Sequence, residues 1–414
     1  MLVLPFILQI AGVAGLVGWL SFRNSHNAVD DLAGQLSEEV GERIHQQLDS
    51  YLATPKEINQ LNGEIVDLQM VDLNDFEATG RYFWRQAQLH GVNYIQYGTV
   101  NGEYVGAGDY GDGVYKIEEV PYGKPGITYQ YATDELGNRT ELLEEGEFDP
   151  RLEAWYTYSK ENLKPGWGDI YTWETNLDIM SVPAGYPVLN AEGEFIGAMG
   201  VDTNLAQVND FLRTLEIEKS GKAFIIERDG LMVVNSVAEK PYKLIEGVGE
   251  RLPATESADE TVSAVAQQLA TTFGDLSELT EPRLLEWEVE GVPHYVQVAP
   301  WQDDLGLDWL VVLAIPEADF MAQINASRRT TILLCMASLA GVIAAGIATA
   351  RWVVKPVLQL QAASQAIARG QLNQTVDIQG TEETAKERLI NDCRTTYILS
   401  TVPLTSLFLE CDSS

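Results

Sequence analysis

Catalysis or metal binding in this chain would have to draw on four histidines, three cysteines and 61 acidic residues. His26, His45, His90 and His294 stand apart from one another, and Cys335, Cys393 and Cys411 have neither zinc nor thiol-redox spacing. There is no G-x-S-x-G elbow, no Walker loop and no H-E-x-x-H pair. His45 falls in a helical stretch, where a kinase phosphoacceptor would stand, but a solvated histidine is the simpler reading. Neighbouring carboxylates are so frequent in this composition that their pairing carries little information. The residues therefore favour a binding protein over an enzyme, with no cofactor and no metal expected.

Charge and hydropathy organise the elements around those residues. A chain of 414 residues exceeds one ordinary core of roughly 100 to 200 residues. Two uncharged, mostly apolar stretches, Met1 to Phe22 and Thr330 to Ala350, each match the roughly 20 residues with which a helix crosses a bilayer core. The first lacks the basic start and small-x-small site of a cleaved signal. The second is flanked on both sides by basic residues, Arg328 and Arg329 before it and Arg351 and Lys355 after it. These balanced flanks leave orientation to the domains. Between Asn24 and Ser327 lie 54 of the 61 acidic residues and 18 of the 27 basic ones, a net charge of −36. Such a segment repels nucleic acid and anionic lipid, which argues against DNA or RNA as partners. It contains no cysteine, which suits an oxidising exterior. The expectation is a multi-pass protein of the plasma (inner) membrane with an acidic domain outside the cytoplasm.

Beyond the first apolar stretch, Val29, Leu32, Leu36, Val40, Ile44, Leu48 and Leu52 recur at steps of three and four, one apolar stripe on a long helix. Pro55 is expected to interrupt or kink it. The stripe suits either packing on its own domain or pairing with a second copy, so a homodimer is expected. From about Val92 the pattern becomes β-rich. Asn93 to Val100 and Glu103 to Ala107 flank the turn Asn101-Gly102, and a second hairpin is expected at Leu136-Gly137-Asn138. Helix is expected from Pro150 to Asn162, strands at Ile179 to Leu189 and Phe195 to Val201, and helix again from Leu205 to Leu215. A second β-rich unit follows, with Ala223 to Glu227 and Leu231 to Asn235 joined by Asp229-Gly230. Helix-compatible Ala254 to Phe273 precedes strands at Leu284 to Glu290, His294 to Ala299 and Trp309 to Ala314. Strands grouped in this way give an α+β fold of two successive units behind a long helix.

Three ordered motifs carry a family resemblance. Phe148-Asp149-Pro150-Arg151-Leu152-Glu153-Ala154-Trp155-Tyr156, Trp167-Gly168-Asp169-Ile170-Tyr171 and Gly197-Ala198-Met199-Gly200-Val201-Asp202 resemble the membrane-distal half of a double Cache sensor domain. The segments Gly221 to Gly230 and Gly306 to Pro316 resemble its membrane-proximal half, and the N-terminal region is similar to sensors common in cyanobacteria. Lys355 to Glu383 resembles the start of a HAMP relay, whose second amphipathic helix does not follow. The resemblance implies a first membrane helix at 1–22 and an extracytoplasmic double Cache domain at 24–327. Within that domain the long helix spans 24–66, the distal Cache unit 67–217 and the proximal unit 218–327. A second membrane helix at 330–353, a partial HAMP segment at 354–383 and an atypical tail at 384–414 complete the expected layout. Such a chain is the input half of a kinase, cyclase or chemotaxis-type receptor. A structural or partner-binding membrane protein is the alternative.

In amino-acid-binding double Cache proteins, an arginine two positions before Trp-Tyr holds the ligand carboxylate and a strand-ending aspartate holds the ammonium. The resemblance assigns Trp155 and Tyr156 to the Trp-Tyr pair, Tyr171 to the downstream tyrosine and Asp202 to the ammonium-binding aspartate. Glu153 stands where the arginine is expected. An arginine fork meets a carboxylate with two parallel charge-assisted bonds, whereas a glutamate repels it. Glu153 with Asp202 favours a cation, and aromatic rings add about 0.5 to 2 kcal/mol of cation–π attraction each. The expected ligand is a small amine or amino-acid-like molecule. Bland roles stay open: Trp155 and Tyr156 as core aromatics, Asp202 as the cap of the helix that follows, and Glu153 pointing to water.

Overall fold

The computed structural model describes residues 4–173, 176, 179–215, 217, 220–245 and 248–369. Two compact units divide the chain, Ala28–Ala322 on one hand and Met1–Asn27 with Gln323–Ser414 on the other. Helix α1 (Leu4–Asp67) and helix α6 (Glu317–Ala368) each contribute to both units. Among the described residues no helix is long and apolar enough to cross a membrane. Side chains of most of the first apolar stretch and of a minority of the second lie outside the described set, as do the segment beyond Arg369 and the atypical tail.

Within Ala28–Ala322 the distal part is one nine-stranded sheet with helices on both faces. Its elements are α2 (Phe76–His90), β1 (Tyr94–Thr99), β2 (Tyr104–Asp109), β3 (Tyr115–Val120), β4 (Gly126–Thr133), β5 (Arg139–Phe148), α3 (Ala154–Asn162), β6 (Gly166–Trp167), β7 (Tyr171–Thr172), β8 (Met180–Leu189), β9 (Phe195–Asn204) and α4 (Ala206–Thr214). The order is β5-β4-β3-β2-β1-β9-β8-β6, with β7 paired to β8. The proximal part has β10 (Lys222–Glu227), β11 (Met232–Asn235), β12 (Tyr242–Ile245), β13 (Val248–Arg251), α5 (Glu260–Phe273), β14 (Arg283–Val289), β15 (Val292–Gln302) and β16 (Asp308–Pro316). Its five-stranded sheet runs β11-β10-β16-β15-β14, and β12 and β13 form a separate ribbon. The fold is α+β with a long N-terminal helix and Cache-type, PAS-like units.

Strand alternation gives the distal sheet two cores. Ile95, Tyr97, Val105, Ala107, Ile117, Met199 and Val201 point to one face, where they bury Phe83, Trp84 and Ala87 of α2 and Ile58 of α1. The intervening residues Tyr94, Tyr104, Val120 and Ala198 point to the other, against Trp155 and Tyr156 of α3 and against Trp173 and Ile179. Local chemistry fixes the ends of these helices. Asp75 accepts from the Ala78 amide at 3.0 Å to start α2, and Gly91, at φ 66°, ends it.

The stripe on α1 packs largely on its own domain, with Val29, Val40, Ile44, Leu48 and Leu52 all buried, whereas Leu32 is exposed and Leu36 half-buried. Pro55 does not interrupt the helix. It forfeits one backbone bond, yet α1 continues to Asp67 because tertiary bonds hold both sides of it. The Tyr51 hydroxyl donates to the Asn204 carbonyl at 2.7 Å, and the Asn59 amide donates to the Ala184 carbonyl at 2.8 Å. Helix α2 and strands β3, β12 and β13 were not anticipated from sequence periodicity.

Candidate functional site

Helix α3 is held against the sheet by its tryptophan. Trp155 is fully buried, and its indole covers two glycines of adjacent strands. A Cβ at Gly200 of β9 would stand 2.8 Å from the indole Cδ2, and one at Gly98 of β1 would stand 3.1 Å from its Cη2. Side chains there would lift the helix, so these positions set how closely α3 approaches. Tyr156, one residue on, is also buried, with its hydroxyl 3.3 Å from the Thr99 carbonyl and its ring edge-on to Phe195. Glu153 is the N-cap residue of α3 and is half-buried. Arg151 forks onto Asp149, its Nε at 2.8 Å and its Nη2 at 2.7 Å, and takes no part in the site.

Strand β9 presents Asp202 on the α3 face, opposite Tyr94 of β1 in the sheet register. The Tyr171 hydroxyl and the Gln96 side-chain amide each donate to Asp202 Oδ2 at 2.9 Å. Its other oxygen, Oδ1, is buried and has no hydrogen-bond partner among the described residues. Burial pushes the Asp202 carboxyl up to about 7, and its two hydrogen bonds only partly oppose that. Burial, followed by the charges of Asp202 and Glu153, holds the Tyr171 phenol well above its ordinary value. Tyr171 thus lies within electrostatic reach of both carboxylates singled out from the sequence.

Of the sequence-derived residues, the structure brings Tyr171 and Asp202 into direct contact, and Glu153 reaches Tyr171 through its charge. Trp155 forms a wall on the same sheet face, and its indole Nε1 lacks a partner among the described residues. The Tyr156 hydroxyl lies at the far end of β1, about 10 Å along the strand from the Gln96 position. Asp202 does not cap α4: the N-cap is Leu205, and the Ala206 amide bonds to Asn204 Oδ1 at 2.9 Å.

Sequence reasoning missed a second polar group on this face. Glu118 of β3 accepts from the hydroxyls of Tyr110, of Tyr94 at 3.2 Å and of Thr128 at 3.0 Å. Trp173 packs edge-on against the Tyr94 and Tyr110 rings, with centroids 5.7 and 5.4 Å away. A period-two alternation of aromatic residues with glycine, Tyr94-Gln96-Gly98 and Tyr104-Gly106-Gly108, is the signal that could have found this surface.

A sheet with α1 and α2 on one face and, on the other, α3 packed over a buried polar-aromatic cluster is the plan of a PAS-like sensory module. Residues 24–324 match the Cache domain family and residues 348–384 match the HAMP domain family. The first match spans more than half of the chain, and the chain belongs to the Cache-domain family. A Cache domain followed by a HAMP domain marks an extracytoplasmic sensor in a membrane receptor, and both are sensory and signalling modules. No curated protein sequence matches the chain.

Solved structures with a similar chain path include the ligand-binding domain of Mlp24 with asparagine, at 16% identity and TM-score 0.44, covering 72% of this chain and 99% of that one. The ligand-binding domain of the Pseudomonas aeruginosa amino acid chemoreceptor PctB with L-Arg is similar at 15% identity and TM-score 0.44, covering 71% and 98%. That of the Pseudomonas fluorescens chemoreceptor CtaA with L-serine is similar at 14% identity and TM-score 0.44, covering 70% and 99%.

Proposed function

We propose that this protein is a transmembrane signal-transduction sensor that binds a small extracytoplasmic amine in its membrane-distal Cache unit. Two membrane helices, Met1 to Phe22 and Thr330 to Ala350, bracket the sensor, and the second carries the signal to the HAMP segment. Glu153, Trp155, Tyr156, Tyr171 and Asp202 are the proposed ligand-binding set, and a homodimer is the proposed working form.

The observation that carries this reading is Asp202, a buried carboxylate with one oxygen unpartnered among the described residues. The groups that bear on its ionisation are burial, Tyr171 and Gln96, none of them a cation. A buried carboxylate without a counter-charge is costly, and a ligand ammonium relieves that cost. Glu153 on the same side disfavours a ligand carboxylate. Calorimetry on the full chain in nanodiscs, with a panel of amines, amino acids and carboxylates, tests the reading. Amines should bind tighter than zwitterionic amino acids, and free carboxylates least. Asp202→Ala should weaken amine binding about a hundredfold or more. Tight amino-acid binding, or amine affinity indifferent to Asp202→Ala, would sink it.

A further inference from the structure

The distal sheet ends in a short strand split in two. β6 pairs with β8 through Gly166 and Trp167, and β7 pairs with the same strand through Tyr171 and Thr172, so the segment 166–172 forms the sheet edge beside β8. Its inner side is fixed to the distal unit. The Gly168 amide donates to the Pro183 carbonyl at 2.9 Å, and the Tyr171 hydroxyl donates to Asp202 at 2.9 Å. A Cβ at Gly168 would stand 2.5 Å from the Ala154 carbonyl at the start of α3, so the segment has no slack on that side.

The proximal unit holds the same segment at both ends. The Trp167 indole donates to Asp303 Oδ2 at 2.7 Å. Asp303 organises the β15–β16 turn, because its Oδ1 accepts from the amides of Leu305 at 3.0 Å and of Gly306 and Leu307 at 2.8 Å. Lys56 lies 3.5 Å from the oxygen that Trp167 uses. At the other end, the Thr172 hydroxyl lies 3.4 Å from the Gly249 carbonyl of β13. A Cβ at Gly249 would stand 2.3 Å from that hydroxyl, so glycine is what lets the ribbon come this close. Successive side chains of a strand point to opposite sides, and here Tyr171 turns to Asp202 while Thr172 turns to the ribbon.

Both holds lead to one strand. The turn joins β15 to β16, and the ribbon is rooted where Arg251 of β13 pairs with Glu227 of β10 and donates to the Met232 carbonyl at 3.1 Å. β15 and β10 flank β16 in the proximal sheet, and β16 runs directly into α6.

We infer that segment 166–172 couples the two units: the proximal unit positions Tyr171 on Asp202 through Trp167 and Thr172, and displacing Tyr171 loosens the β15–β16 turn and the β12–β13 ribbon. Such a coupling is a free energy shared by both sets of contacts, so it acts in both directions. It holds whichever ligand the distal unit takes, and it is measurable without one.

Hydrogen exchange on the full chain in nanodiscs tests it, with Tyr171→Phe, which removes only the hydroxyl, as the displacement. Exchange in Gln302–Asp308 and in the ribbon should rise about fivefold or more, the lower end of a coupling between sites. Tyr82→Phe, which removes a hydroxyl bonded to Asn62 at 3.0 Å on the α2 side, should leave both unmoved. With Trp167→Phe in place, Tyr171→Phe should still reach the ribbon and no longer reach the turn. Asp303→Asn, which keeps an oxygen for the turn amides and breaks the same bond, replaces Trp167→Phe if that variant does not fold. No rise, a rise confined to the distal unit, or an equal rise with Tyr82→Phe overturns the coupling. A turn response that survives loss of the Trp167–Asp303 bond overturns the route through it.

Discussion

Replacing Asp202 by asparagine should change how the unliganded protein responds to pH, and the sign follows from the site. The carboxyl titrates near 7 in the folded protein against an ordinary value of 3.8. Between those values the folded state holds a proton that the unfolded state has released, so stability falls as pH rises and the loss is complete above the folded value. A displacement of about three units corresponds to about 4 kcal/mol across the interval. Asparagine presents a similar shape, can accept from Tyr171 and Gln96 with its oxygen, and carries no charge at any pH. Its amide nitrogen would replace the unpartnered oxygen at a cost of about 1 kcal/mol that does not vary with pH. Urea unfolding of the full chain in nanodiscs, followed by tryptophan fluorescence at pH 4.5 and pH 8, isolates the effect. Other carboxylates contribute to both proteins, so the quantity to read is the difference between them. Asp202→Asn should gain about 3 to 4 kcal/mol on the unmodified protein between the two pH values. Parallel pH curves for the two proteins would refute the argument, since they would mean that Asp202 is solvated or already neutralised.

The same ionisation governs binding: amine affinity should fall about tenfold per pH unit below 7, with close to one proton released per ligand bound at pH 6 when calorimetry is repeated in buffers of different ionisation enthalpy. Glu153→Arg should move the ligand preference toward amino acids, and an unchanged selectivity in the same panel would place Glu153 outside the site. Gly200→Val should destabilise the distal unit by about 1 to 3 kcal/mol in urea unfolding, because its Cβ would stand 2.8 Å from the Trp155 ring. Trp155→Ala should cost about 3 to 5 kcal/mol, so a neutral effect would mean that α3 does not depend on that contact. Protease added to intact cells should cut between Asn24 and Ser327, and protection of that acidic segment would contradict the proposed topology.

Elements whose residues alternate or repeat cleanly were legible in the sequence. Strands β1, β8 and β9 lie within a few residues of expectation, because their period-two patterns sit between turn residues such as Asn101-Gly102 and Asn190 to Glu194. Asp202, Tyr171 and Glu153 were singled out through motifs, and the contact of Tyr171 with Asp202 depends on β7 and β9 converging, which no local pattern reveals. Strand β3 was not legible, since its charged run Lys116, Glu118 and Glu119 reads as a solvated loop. Only the pairing with β2 and β4 reveals that Glu118 turns inward while Glu119 faces Arg139, at 2.7 Å, on the opposite side. Pro55 misled for a related reason: local propensity argues for a break, and anchors on other elements override it.

Helix α1 has a bearing on receptor engineering. Asp30 and Asp49 accept from Tyr295 at 2.6 Å and Trp301 at 2.8 Å, in the proximal unit, while Tyr51 and Asn59 bond to Asn204 and Ala184 in the distal one. Lys56, lying between those two, returns to the proximal loop at Asp303, 3.5 Å away, and Asp304. Attachments to the two units thus interleave along the same turns of one helix, so no cut within that stretch separates them. A chimera that imports a foreign distal unit by splicing between Asp49 and Asn59 inherits half of each set of anchors. Crossovers placed before Asp30 and after Phe320, which transplant both units with the shared stretch of α1 from Asp30 to Asp67, keep every one of these bonds within a single parent.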